Sequence, residues 1–460
     1  MVESFIAHSN REAAVMWKPK VAVVAVASRF ESGGERAADI FEKAKKKLTA
    51  SGLEVVASPK IVWDAADALE AAGTLAGGGP ELLVIIHATW VQDSLQYLFV
   101  NTVHCPLLLW AVPYTETFSL GCVQHFGSIL SENGIPFRYV YGVPDDRNLV
   151  AVVRDYALAA GAFRALKRSR IALIGPRQTW RAAGPQDMSM EEWGLSRTFG
   201  MTIVHVEMEE LLAKAAEGTD AAAEDVLREM RVKKCLGKAF ADEGRLLYAA
   251  KVYLGVKELF GRYGLTSAAA ECYPQYGGLV NLPSSWLADE GTVLDTEGDI
   301  GHTMLMEIMN LLSPGATALG EVGSIDKRSG SLDLAHEGSS AHSLAENLSK
   351  VSILPGGDKG TLVGFPLKAM PKVTVADLCG QTDTYRLFAA LARSQRVPTQ
   401  EWVRAGRKFM ARLSFGAGGR EVLETMMKGG VDHHLLLREG DLQGHLRDLC
   451  DLWGIDLIVG

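Results

Sequence analysis

The chain has no pair of cysteines spaced Cys-x-x-Cys. Its six cysteines (Cys105, Cys122, Cys235, Cys272, Cys379 and Cys450) are scattered through 460 residues. They read as reduced thiols of a cytoplasmic protein, not as a disulfide framework. No apolar run reaches the roughly 18–20 residues that a bilayer-spanning helix requires, so no membrane partner is expected. The opening MVESFIAHSNREAAVMWKPK lacks a basic start followed by an apolar core and does not read as a signal peptide. Basic residues are not in excess either: 47 Lys and Arg face 55 Asp and Glu, a net charge of −8. Nothing in that balance calls for nucleic acid, and the one basic block, Lys43 to Lys47, reads as the solvated face of a helix. Finally, no Gly-x-Gly-x-x-Gly follows the first apolar strand, so no dinucleotide cofactor is expected.

What is present is an ordinary globular composition, 48% hydrophobic and 22% charged, on a chain long enough for two or three cores. VAVVAVAS (Val21–Ser28) is a continuous β-branched run, as in a strand buried on both faces. A helix over 34–51 follows, then a strand at Leu53–Ser58, a helix over Asp64–Ala76, and strands at Glu81–Trp90 and Cys105–Pro113. Such alternation predicts a parallel sheet wrapped by helices. Ligands on such sheets bind beyond the carboxyl ends of strands, which draws attention to His87–Trp90, Pro113–Phe118 and the Gln124-His125-Phe126-Gly127 stretch. The same grammar restarts near Arg168, with RIALIGPR, a helix carrying Trp193, Leu195 and Phe199, the strand MTIVHVEM and the helix MEELLAKAAE. Two helices fill 219–264, and a short buried strand then brings Glu271 and Cys272 to its end.

From about Leu319 the pattern changes to short β-prone pieces separated by Gly, Asp and Pro, with little helix expected before Glu401–Arg412 and a further helix and a last strand at the end of the chain. The expected fold is therefore α/β: two doubly wound parallel-sheet domains (1–166 and 167–318) followed by a smaller β-rich domain (319–460). His433 and His434 are placed in a flexible, exposed loop after Gly429-Gly430.

The chemistry concentrates between Thr296 and His342. Glu297-Gly298-Asp299 leads into a helix whose Met304, Leu305, Ile308, Met309 and Leu312 share one face, and Ser313-Pro314-Gly315 ends it. Glu321 and His336 follow. With His433 and His434, and with Glu271, Asp299, His125 and His302 in reserve, these carboxylates and imidazoles suit a hard-to-borderline divalent cation. A cation of that kind polarises a carbonyl beside a hydroxyl, and a carboxylate can then move the acidified proton. Each histidine taken singly reads equally well as a structural hydrogen bonder. From the residues alone the reading stops at a metalloenzyme.

Several separate motifs, in order, resemble the L-fucose/L-arabinose isomerase family. Glu297-Gly298-Asp299 with its TMLMEIM helix is similar to the Glu-Gly-Asp segment of the arabinose branch and the Thr-Glu-x-Asp segment of the fucose branch. Glu321 stands where the family has its second metal carboxylate. His336, in LDLAHEG, matches a histidine that ends a short strand, and Gly429-Gly430 with His433-His434 resembles the Gly-Gly-x-His-His near the family's C-terminus. The VPYTETFSLGCVQHFGSIL segment and the GPRQTW turn fit more weakly.

The resemblance implies an aldose–ketose isomerase acting on a free pentose or 6-deoxyhexose through a cis-enediol, with Mn2+ or another divalent cation. It implies Glu297 and Glu321 as metal ligands and acid/base pair, His336 and His434 as the remaining ligands, and His433 facing the sugar. It also implies a homo-oligomer, trimer or hexamer, with sites near subunit boundaries and with Gln124 and His125 reaching substrate. The two residues Val431-Asp432 between the Gly and His pairs, where the arabinose branch has one, depart from the pattern. A sugar-binding protein without catalysis, and a metal-dependent epimerase or aldolase on the same scaffold, are the alternatives.

Overall fold

The computed structural model describes residues 17–175, 187–273, 275–337 and 340–460. The opening residues 1–16 and most of the GPRQTW turn, 176–180, lie outside them. The described chain forms two compact units, one of residues up to 165 together with 447–454, the other of the remainder. Among the described residues no helix is long and apolar enough to cross a membrane.

The first unit holds five parallel strands: β1 (Lys20–Val26), β2 (Glu54–Ala57), β3 (Leu82–His87), β4 (Leu107–Ala111) and β5 (Phe137–Tyr141), in the order β2-β1-β3-β4-β5. Side chains alternate across a strand, and β1 shows the consequence. Val21, Val23 and Ala25 pack with Ala37, Ile40, Phe41 and Leu48 on one face. Ala22, Val24 and Val26 pack with Ala68, Leu75, Phe99 and Phe126 on the other. Both faces are covered, which is why the run carries no polar residue. Asp64 caps the helix Ala65–Gly77 by accepting from the Asp67 amide at 3.0 Å.

In the second unit a parallel sheet runs β10-β9-β6-β7, from β6 (Arg170–Ile174), β7 (Thr202–Val206), β9 (Ser267–Ala270) and β10 (Val293–Asp295). The short β8 (Lys238–Ala239) instead joins the hairpin of β13 (Ser352–Gly356) and β14 (Gly360–Gly364). The C-terminal strands are β11 (Ala318–Ile325), β12 (Leu332–His336), β15 (Met370–Cys379), β16 (Arg386–Gln395), β17 (Phe409–Phe415), β18 (His434–Glu439) and β19 (Asp456–Val459). They lie in the order β15-β18-β11-β12-β17-β16-β19, and β15 also pairs with β16, so six of them close into a ring. Closure leaves those strands no free edge. The architecture is the expected one, two doubly wound parallel sheets and a β-rich C-terminal part.

One local expectation fails. The helix expected at Glu401–Arg412 is only Thr399–Arg404. Gly406 and Arg407 adopt positive φ of 75° and 60°, which no helix tolerates. Phe409, Ala411, Leu413 and Phe415 then alternate inward, so Arg412 belongs to β17.

Candidate metal centre

Four side chains converge from four segments of the second unit. Glu297 follows the carboxyl end of β10, in the turn before the helix Ile300–Leu312. Glu321 on β11 and His434 at the start of β18 are direct cross-strand partners, an arrangement that places two side chains about 5 Å apart at their Cβ atoms on one face. His336 ends β12, the strand beside β11. His336 Nε2 lies 3.2 Å from Glu297 Oε1 and 3.9 Å from Glu321 Oε1. His434 Nε2 lies 3.7 Å from Glu297 Oε2 and 3.9 Å from Glu321 Oε1.

The turn that presents Glu297 is built for close approach. Gly298 has φ of 76°, and a Cβ there would meet the Glu271 side chain at 3.2 Å. Glycine is required on both counts. The Asp295 carboxylate accepts from the amides of Glu297 and Asp299 at 2.8 and 3.0 Å, which fixes the turn. Asp299 then caps the helix, accepting from the His302 amide at 2.9 Å.

Behind the four lies a buried network. His302 bonds Asp299 through Nδ1 and Asp377 through Nε2, and Asp377 accepts from the Asp432 amide at 2.9 Å. Burial lowers the pKa of His302, but the two carboxylates outweigh it and hold the imidazole charged. Burial and the neighbouring Asp377 push the Asp432 carboxyl up to about 9. His434 turns its Nδ1 toward Asp299 at 3.8 Å, the placement a carboxylate takes when it orients a metal-binding imidazole. Burial raises the Glu297 pKa, yet His336 and then His434 bring it below the usual carboxylate range.

The donor set fits a divalent cation. The ring nitrogens of His336 and His434 are buried with no hydrogen bond among the described residues, a costly state for a polar group that metal coordination would relieve. Two carboxylates and two imidazoles, with no sulfur among them, suit Mn2+ or a similar ion. Glu297, His336 and His434 form one group of ligating atoms within 4.8 Å of one another, and Glu321, His433 and His434 form a second.

The other expected residues fall out differently. His434 is not in an exposed loop but fully buried as the first residue of β18, because the leucines after it form a strand inside the ring. His433 is half-exposed and turned to Asp187, which accepts from its backbone amide at 3.0 Å and contacts Nδ1 at 2.7 Å. That imidazole drives the Asp187 pKa down to about 2. Gln124 and His125 are exposed on the helix Ser119–Glu132 of the first unit, His125 lying 3.9 Å from Asp93. His87 is buried at the end of β3 against Gln96 at 2.7 Å and has no carboxylate partner.

Asp295, Asp377, Asp432 and Asp187 were not anticipated. Asp377 had a signal, an acid inside the apolar strand VTVADLC, since carboxylates are seldom buried without a partner. Asp295 had another, the alternation of acids in DTEGD.

Three comparisons place the chain among known proteins. No family model matches it. A sulfoquinovose isomerase from Clostridium sp. (strain MSTE9) is 23% identical over 434 residues, 91% of this chain and 94% of that protein. A second from Priestia aryabhattai is 23% identical over 436 residues, again 91% and 94%. An L-arabinose isomerase from Nocardioides sp. is 23% identical over 399 residues, 80% and 77% of the two chains. Among solved structures, a solute-binding protein of an ABC transporter from Burkholderia multivorans is 14% identical over 64% of this chain and 92% of its own. Its TM-score of 0.19 carries no argument.

Proposed function

We infer that this chain, a distant relative of the L-fucose/L-arabinose isomerase family along most of its length, is a metal-dependent aldose–ketose isomerase. The observation that carries the reading is the convergence of Glu297, Glu321, His336 and His434. These four would hold the cation, Mn2+ by donor chemistry. When bound, it would polarise the C1 carbonyl and C2 hydroxyl of the open-chain sugar and so acidify the C2 proton.

Glu297 and Glu321 are the acid/base pair. One carboxylate takes the C2 proton, the C–H electron pair becomes the C1=C2 bond, and O1 gains a proton to give the cis-enediol. Returning a proton to C1 while O2 loses its own gives the ketose. His434 is oriented by Asp299 behind it, and the Asp299–His302–Asp377 network holds that support rigid. His433, tied through Nδ1 to Asp187, keeps Nε2 for a sugar hydroxyl. The active form is a homo-oligomer with sites near subunit boundaries, where Gln124 and His125 contact sugar.

The substrate is a pentose or a hexose lacking the 6-hydroxyl. The sulfoquinovose isomerases among its relatives favour a second reading within that class, a 6-deoxyhexose bearing a C6 sulfonate. Metal-stripped protein should be offered L-arabinose, L-fucose and sulfoquinovose, each with and without Mn2+. Mn2+-dependent ketose formation from one of them is the expected result. A different product, such as an epimer or a cleaved sugar, would overturn the reaction class, and no metal binding would overturn the reading entirely.

A further inference from the structure

A second cluster of ligating groups lies outside the isomerase centre. Cys235 sits in the turn after the helix Asp220–Val232, Asp289 ends the helix Asn281–Asp289, and His342 opens the short turn His342–Leu344. One ligating atom from each lies within 4.8 Å of the others. Three segments far apart in sequence thus present a thiol, a carboxylate and an imidazole to one point.

Cys235 and His342 are held through their backbones and Asp289 through its carboxylate oxygens. The Cys235 amide donates to the Met230 carbonyl at 2.8 Å, and its carbonyl accepts from Trp286 Nε1 at 3.1 Å. Asp289 is oriented by the amides of His342 and Ser343, each at 3.0 Å. The Cys235 thiol has only a weak contact, 3.5 Å to the Lys233 carbonyl.

His342 provides the independent sign of a ligand. Its side chain is 1% exposed, yet neither ring nitrogen makes a hydrogen bond among the described residues. Nδ1 lies 3.4 Å from Asp289 Oδ2 without bonding geometry. A histidine serving only the core would satisfy at least one nitrogen, because buried polar groups are rarely left unpaired.

We propose that Cys235, Asp289 and His342 form a binding site for a thiophilic divalent ion, Zn2+ by donor chemistry, separate from the isomerase centre. With Zn–S of about 2.3 Å and Zn–N and Zn–O of about 2.0–2.1 Å, ligand atoms on a tetrahedral ion stand about 3.3–3.6 Å apart, the spacing that His342 Nδ1 and Asp289 Oδ2 have at 3.4 Å. Cys235 is only half-buried, which leaves an approach and room for water as the fourth ligand. The thiolate separates the two sites chemically, since sulfur selects Zn2+ where two carboxylates and two imidazoles accept Mn2+. The ion would clamp the turn of His342, six residues beyond the metal ligand His336, to two helices of the parallel-sheet region.

Cobalt distinguishes the sites, because only a cysteine-ligated Co2+ gives an intense thiolate charge-transfer band in the near ultraviolet. Metal-stripped full-length protein loaded with Co2+ alone should show that band, and Glu297→Gln should retain it. Cys235→Ala should lose it, bind about one Zn2+ fewer per chain, and keep its Mn2+-dependent isomerase activity. Absence of the band in wild-type protein saturated with Co2+ would overturn the proposal even if the variant failed to fold. Persistence of the band in folded Cys235→Ala would also overturn it, by assigning the thiolate elsewhere.

Discussion

His87 and His336 are both buried histidines ending a strand, one in each unit, and they differ in what faces them. His87 meets the neutral amide of Gln96, and burial pulls its pKa down to about 4. His336 meets Glu297 and Glu321; burial lowers its pKa too, but the carboxylates outweigh that and raise it. Burial alone therefore does not mark a site. A buried imidazole that faces carboxylates with its ring nitrogens unbonded, as His336 does, is placed to hold a cation, whereas one bonded to carboxylates, like His302, or to an amide, like His87, supports the fold. The two histidines also differ in setting, since β3 is a strand of a parallel sheet and β12 pairs antiparallel with β11 and β17.

The sharpest way to break the contrast is to remove the charge that His336 faces. Glu297→Gln and Glu321→Gln should each lower turnover by roughly 10²–10⁴-fold, the usual contribution of a general base. A loss below about tenfold in either would remove that residue from the acid/base pair. Next in size is metal affinity. His434→Ala should weaken Mn2+ binding more than His433→Ala, because only His434 lies close to both glutamates with Asp299 behind it. Titration with Mn2+ in the reverse order would exchange their roles. Asp299→Asn should weaken binding by about 10–100-fold through loss of that support.

His87 sharpens the other side of the contrast. Its folded pKa, about 4, lies below the unfolded value of 6.5. Its contribution to stability is therefore complete above about pH 6.5 and is lost as pH falls toward 4, by about 3 kcal/mol in all. Urea denaturation across that range should show the decline, and His87→Gln should flatten it. An unchanged slope would mean that His87 is already protonated in the fold. His125→Ala carries the smallest expected effect, a KM increase without loss of metal; unchanged kinetics would remove it from the substrate set.

The broad architecture was legible because buried parallel strands need unbroken apolar runs, as in Val21–Val26, and amphipathic helices need their own period. Glu297, Glu321, His336, His433 and His434 were legible as candidate ligands from their residue types, but the choice of His434 over His433 as ligand came only through the resemblance. Their spacing in sequence says nothing about β11 and β18 pairing to bring Glu321 opposite His434. The closure of the C-terminal strands was illegible for the same reason, since pairing between β15 and β16 depends on registers that no local pattern states. The Glu401–Arg412 helix was misread because a six-residue helix, a positive-φ turn and an alternating strand add up to one helix-like composition. Cys235, Asp289 and His342 had no motif at all; their meeting is purely tertiary.

Isomerisation in deuterated water shows whether carboxylates carry a proton between C2 and C1. The Mn2+-loaded protein should release a ketose bearing solvent deuterium at C1, because the half-exposed Glu321 exchanges its proton with solvent. Ketose formed at full rate with no deuterium at C1 would contradict proton transfer through a Glu321 that exchanges with solvent.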